Sequence, residues 1–153
     1  MSPNVPENIK TIANSIKYRG LLLTIIQLDK HKFSENASIY FPQKDIPFNR
    51  IYEPKSRSPK LAPPHQTCIV VETTLKQEDI TKVDVDKFLN KIRKSLINLS
   101  LINENEILKS KIVKINNAYP IMDLKSKQKV EILKKYLNRF KNLEFVGRNA
   151  LFK

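Results

Sequence analysis

The sequence predicts one α+β domain, a mixed sheet of about five strands with amphipathic helices on one face. Three features of the 153 residues lead there. Apolar residues recur at helical spacing in three segments, continuous or β-branched apolar runs lie between them, and neither an internal repeat nor a serine- or glycine-rich linker divides the chain. With 41% hydrophobic and 28% charged residues, the chain can bury a core and is not a disordered tail.

Pro6 suits the first turn of a helix over Glu7 to Ile16, where Ile9, Ile12, Ala13 and Ile16 share a face. Leu21 to Leu28 is a nearly continuous apolar run between Gly20 and Asp29, the pattern of a strand buried on both faces at the centre of a sheet. Ser38 to Phe41 reads as a second, shorter strand. Pro42 to Pro64 then holds six of the nine prolines, which limit the entropy lost on ordering, so a long structured loop that touches something is expected rather than a floppy linker. Thr67 to Thr74 (TCIVVETT) is β-branched and reads as a strand. Asp84 can cap a helix that carries Val85, Phe88, Leu89, Ile92, Leu96 and Leu99 on one face. Lys111 to Asn117 is a strand candidate halted by Pro120, which cannot donate to a ladder. Ser126 opens a further amphipathic helix striped by Val130, Leu133, Leu137 and Phe140, and Leu143 to Val146 is a last extended run ended by Gly147. The chain then stops on Leu151, Phe152 and Lys153 without a polar tail, so it is expected to be cut short at its C-terminal end.

Several chemistries are excluded by composition. The two glycines, Gly20 and Gly147, lie at opposite ends, so no glycine-rich phosphate cradle can be drawn. A lone Cys68 rules out a disulfide framework and a cysteine-based zinc site, and His31 and His65 are too few for a histidine-rich metal site. His65 and Cys68 are three apart, but no oxyanion motif or orienting third residue accompanies them, and an inert, buried thiol is expected. Asp84 with Asp86, and Glu104 with Glu106, read as a helix cap and a polar loop. No catalytic residue is assigned. Pro3, Pro6 and Glu7 stand where a secretory signal would be basic and then apolar, and the longest apolar run, Leu21 to Ile26, is far short of the roughly 20 residues of a membrane span. The cytoplasm is the expected compartment.

A net charge of +13 is the footprint of a polyanion binder taken bare. The 28 cations are 22 lysines and 6 arginines, scattered opposite the apolar stripes, which is the pattern of solvated helix faces. No aromatic residues interleave with them as a stacking platform would require. A small basic module for RNA or another polyanion is therefore the alternative, not the favoured reading.

Four segments taken in order resemble one family. They are Tyr18 and Arg19 before the buried strand, IYFPQKDIPFNRIYEPKSRSPKLAPP (Ile39 to Pro64), NAYPIMDL (Asn117 to Leu124) and VGRNALF (Val146 to Phe152). The set resembles the substrate-domain, C-terminal half of flavin-dependent amine oxidase and protoporphyrinogen oxidase-like proteins, related to UDP-galactopyranose mutase. The resemblance implies a single substrate-domain-like unit over residues 1–153 that lacks the FAD-binding Rossmann domain. It further implies that FAD, and with it any oxidoreductase chemistry, comes only with a flavin-binding partner chain or a missing domain, the chain being inactive alone. A non-functional gene remnant is the bland counterpart.

Arg50 with Tyr52 and Glu53 is the first candidate site, because a guanidinium beside a phenol and a carboxylate can orient an anionic or polyhydroxylated ligand. The simpler reading pairs Arg50 with Glu53 across the proline-rich loop. Tyr119, before Pro120, can face a ligand cavity next to a flavin or, more simply, pack. The resemblance implies that Gly147 and Arg148 lie near the flavin phosphates when a cofactor domain is present, the simpler reading being a strand end with a solvated arginine.

Overall fold

Short links between apolar runs fold this chain back on itself, and the structure, a computed structural model, describes residues 4–147. The elements are α1 (Glu7–Asn14), β1 (Tyr18–Leu28), β2 (Ser38–Tyr40), β3 (Arg50–Tyr52), β4 (Thr67–Lys76), α2 (Gln77–Ile80), α3 (Val85–Asn98), β5 (Ile107–Pro120) and α4 (Ser126–Leu137). Single 3₁₀ turns occur at Pro54–Ser56, Pro59–Leu61 and Glu104–Glu106. The strands form one sheet in the order β2-β3-β4-β1-β5. The α+β class and the five-strand sheet are those the sequence predicts. Direction of pairing is a refinement: the sheet is antiparallel, with Arg50 opposite Tyr40 on β2 and opposite Glu72 on β4.

The chain divides into two compact units, Gly20–Asn116 and Met1–Arg19 with Asn117–Lys153. In the first, Ile26 and Leu28 of β1, Ile51 of β3, Ile69 and Val71 of β4, and Ile92 and Leu96 of α3 form one buried cluster with Phe48 and Ile102. Phe41 meets Phe48 edge to face with ring centroids 4.9 Å apart. The period-two alternation of β1 decides its faces: Leu22, Thr24, Ile26 and Leu28 are fully buried, while Leu23, Ile25 and Gln27 are half-buried. It is an interior strand, but β4 is the middle of the sheet. The Asp84 carboxylate accepts from the Lys87 N–H at 3.1 Å, capping α3 as its sequence predicts. α2 is unforeseen; it seats Ile80 against β1, where a Cβ on Gly20 would lie 2.1 Å from Ile80 Cγ1. Only hydrogen fits there.

In the second unit α1 packs on α4. The Ile121 N–H donates to the Lys17 carbonyl at 2.8 Å, and Lys129 Nζ donates to the Ser15 carbonyl at 3.3 Å. Two strand assignments change. Leu143 to Val146 is not a strand, because it has no ladder partner among the described residues and Val146 is 79% exposed. The fifth strand is instead β3, three residues inside the proline-rich segment, held between β2 and β4. β5 also starts earlier than Lys111, at Ile107.

Candidate functional site

β3 builds the site, since its side chains alternate between the two faces of the sheet. Ile51 is buried in the core, and the next residue of that parity, Glu53, turns away from Arg50 and Tyr52. Arg50 and Tyr52 share the opposite face. Arg50 Nη2 donates to Glu72 Oε1 at 2.5 Å and Nη1 donates to the Tyr40 hydroxyl at 3.4 Å. Its guanidinium also stacks 5.1 Å from the Tyr52 ring centre and 5.8 Å from that of Tyr40, and Arg57 lies 5.6 Å from the same Tyr52 ring. Two guanidinium groups thus meet one phenol, and the Glu72 carboxylate pairs with one of them.

The electrostatics follow from these contacts. The hydrogen bond that Arg50 donates to Glu72 holds the guanidinium above even its ordinary value, so it is charged at every working pH. Burial, then the charge of Glu72, pushes the Tyr52 phenol up against the opposing pull of Arg50 and Arg57. Arg50 Nε is buried and meets no acceptor among the described residues, and Arg57 makes no ion pair there. Of the three charged groups here, Arg50, Arg57 and Glu72, two are positive, so the face keeps a positive surplus.

The Arg50–Glu53 pair is not formed. Glu53 is 1% exposed and accepts from the Phe33 N–H at 3.0 Å, the Ser56 hydroxyl at 3.1 Å and the Thr67 hydroxyl. Burial would raise its pKa, but these three donors outweigh it and hold the carboxyl below its usual range. Glu53 is a structural hub that anchors the proline-rich segment beneath the site.

Lys55 has no signal in the sequence, yet it is the second anchor. Its ammonium donates to the carbonyls of His31, Pro63, Pro64 and Gln66 at 3.1, 2.9, 2.9 and 2.7 Å. His31 Nδ1 lies 2.7 Å from the Pro64 carbonyl and donates to it. A cavity of about 270 Å³ lies beside these groups, lined by His31, Lys32, Glu53, Lys55, Ser56 and Pro59.

The remaining candidates fall elsewhere. Tyr119, 45% exposed on β5, and Gly147 belong to the second unit, and Arg148 lies outside the described residues. Gly147 has φ +82°, a conformation that favours glycine, but a Cβ there would meet nothing within 4 Å. Gly20 is filled by Ile80. Gly20 is thus taken up by packing, whereas the space beside Gly147 is open. Cys68 is half-buried, and burial pushes its thiol up, which keeps it protonated and unreactive.

Comparison with known proteins adds a family and a fold. A family model described as UDP-galactopyranose mutase matches residues 7–99. None of the curated proteins compared matches the chain. Among solved structures, a crystal structure of reduced UDP-galactopyranose mutase superposes with a TM-score of 0.72 and 16% identity, over 92% of this chain and 30% of that one. A protein of Exiguobacterium described as a protoporphyrinogen oxidase gives a TM-score of 0.57 at 8% identity, over 89% and 31%. A Pyrococcus furiosus protein gives 0.51 at 17%, over 71% and 26%. At such identities the likeness is one of fold. The chain spans less than a third of the length of each of these proteins.

Proposed function

The chain belongs to the UDP-galactopyranose mutase family, and on that premise we propose that it is the substrate-binding part of an FAD-dependent enzyme of the mutase and oxidase-like kind, completed by a flavin-binding partner chain. The observation behind this reading is the Arg50 guanidinium, fixed by Glu72 and stacked on Tyr40 and Tyr52 on the face of the sheet opposite α3. Arg50 and Tyr52 bind the ligand, with Arg57 as a second cation on the same ring. Tyr119 is a further substrate contact, and Gly147 with Arg148 form this chain's approach to the flavin phosphates. FAD, when bound, supplies the flavin ring's redox chemistry, and this chain supplies binding and orientation. It is inactive without that partner. No helix among the described residues is long and apolar enough to cross a membrane, and the cytoplasm is the proposed compartment.

The test is an equilibrium titration of the full chain with UDP-galactopyranose, with and without FAD and the host's flavin proteins. Arg50→Lys keeps the charge but removes the planar fork and the stacking, so affinity should fall by about tenfold, the equivalent of about 1.4 kcal/mol. The urea midpoint of R50K serves as the folding control. Saturable binding that R50K leaves unchanged, or no binding in any mixture, would overturn the assignment.

A further inference from the structure

The net charge is not spread evenly. Met1–Arg19 with Asn117–Lys153 holds 12 Lys and Arg against 4 Asp and Glu, whereas the larger unit Gly20–Asn116 holds 16 against 11. The smaller unit also carries an apolar turn between β5 and α4 in which Ile121, Met122 and Leu124 are 40%, 60% and 102% exposed.

This turn is built to hold its side chains outward. The Asp123 N–H donates to Ser126 Oγ at 2.8 Å, the Ser126 hydroxyl donates back to Asp123 Oδ1 at 2.8 Å, and the Lys125 N–H donates to the same oxygen at 2.9 Å. The one acidic group of the turn is thus engaged within the turn and with the Lys129 ammonium, 3.7 Å from Asp123 Oδ2. Lys125 and Lys127 follow at once, exposed and without an ion pair among the described residues.

Fixed aliphatic residues beside lysines suit one kind of surface better than another. Protein interfaces favour Trp, Tyr and Arg at their centres and are depleted in Lys. Nine of the unit's 12 cations are lysines, whose flexible ammonium groups find a partner anywhere on an anionic bilayer. Aliphatic side chains then enter the boundary between headgroups and acyl chains. We propose that the Ile121–Leu124 turn is an insertion loop that docks this unit on an anionic lipid bilayer, with Ile121, Met122 and Leu124 in the acyl boundary and Lys125 and Lys127 among the headgroups. A cytoplasmic leaflet carries that charge.

Co-sedimentation of the full chain with vesicles tests this, using phosphatidylcholine alone and phosphatidylcholine with about a third phosphatidylserine, near physiological salt. The chain should partition onto the anionic vesicles at least about tenfold better than onto the neutral ones, and rising salt should weaken the binding. Met122→Asp with Leu124→Asp should lower the partition by at least about tenfold without moving the urea midpoint, because both side chains are exposed. Lys125→Glu with Lys127→Glu should weaken it as well. No partition onto anionic vesicles would overturn the proposal, as would binding that survives M122D/L124D, which would be electrostatic adsorption alone. Loss of a soluble protein partner in M122D/L124D, with vesicle binding absent in the parent chain, would reassign the turn to a protein interface. None of these outcomes depends on the ligand at Arg50.

Discussion

Replacing Glu53 by alanine removes the acceptor on which the proline-rich segment is hung. Its carboxylate takes the Phe33 N–H at 3.0 Å, the Ser56 hydroxyl at 3.1 Å and the hydroxyl of fully buried Thr67. In E53A the hydroxyl of exposed Ser56 can turn towards water, but the Phe33 N–H and the Thr67 hydroxyl are left without an acceptor, at about 1–3 kcal/mol each. A loss of about 4 kcal/mol follows, a large part of the roughly 5–15 kcal/mol that folds a domain. At a urea slope of about 2 kcal/mol/M the midpoint should fall by about 2 M. E53Q keeps one oxygen for the Phe33 N–H and lets the hydroxyls rotate, so it should lose only about 1 kcal/mol, or about 0.5 M. The sign with pH is also fixed. Because the donors hold the folded carboxyl below its ordinary value, its contribution is full above the ordinary carboxylate range and lost as pH falls through the lowered value. The stability of E53Q should accordingly change less than that of the parent chain on acidification. Urea unfolding followed by far-ultraviolet circular dichroism reads all of this in a tryptophan-free chain. An E53A midpoint within about 0.5 M of the parent, or E53Q as damaging as E53A, would refute the hub assignment.

Other perturbations test the surroundings. Lys55→Met leaves four carbonyl oxygens clustered without their ammonium, which should cost about 2–3 kcal/mol and speed amide exchange between residues 54 and 66; an unchanged midpoint would contradict the clamp. Thr24 is fully buried with a hydroxyl that meets no partner among the described residues, so Thr24→Val, equal in shape, should raise stability by about 1 kcal/mol, and a fall would contradict the assignment. A spectrophotometric titration of the parent minus Y52F should show the Tyr52 phenol ionising above the ordinary tyrosine range, since burial and Glu72 favour its neutral form. The stabilisation this represents is full below the unfolded value and lost as pH rises through the folded one; ionisation at or below the ordinary range would refute the contacts drawn.

Where the sequence carries a long periodic signal, the structure agrees with it. α3 has both a capping aspartate and an apolar stripe, and Ile92 and Leu96 of that stripe are fully buried. β3 has no such signal, because three residues between Pro47 and Pro54 are too few to show a period, and their pairing with β2 and β4 is a matter of tertiary register. Leu143 to Val146 fails for the converse reason: an apolar run makes a strand only where a ladder accepts it. At the site, Arg50 and Tyr52 do come together, but the carboxylate that holds Arg50 is Glu72, 22 positions away, and not the adjacent Glu53. Reading Arg50–Tyr52 as a strand would have shown this, since positions 50 and 53 then point to opposite faces. The Lys55 clamp could not be read at all, because its four acceptors are backbone carbonyls that any sequence possesses.

On the proposed reading, this chain binds substrate for a flavin held elsewhere. The most direct test of that reading is the ultraviolet and visible absorbance of the tagged chain drawn from its host under gentle salt, read beside the chains that come with it. A larger partner with the visible bands of bound flavin, retained with the full chain, is the predicted result. A flavin-free spectrum with no partner, even after FAD is added back, would contradict it, and a nucleic-acid peak in its place would return the basic surface to the front.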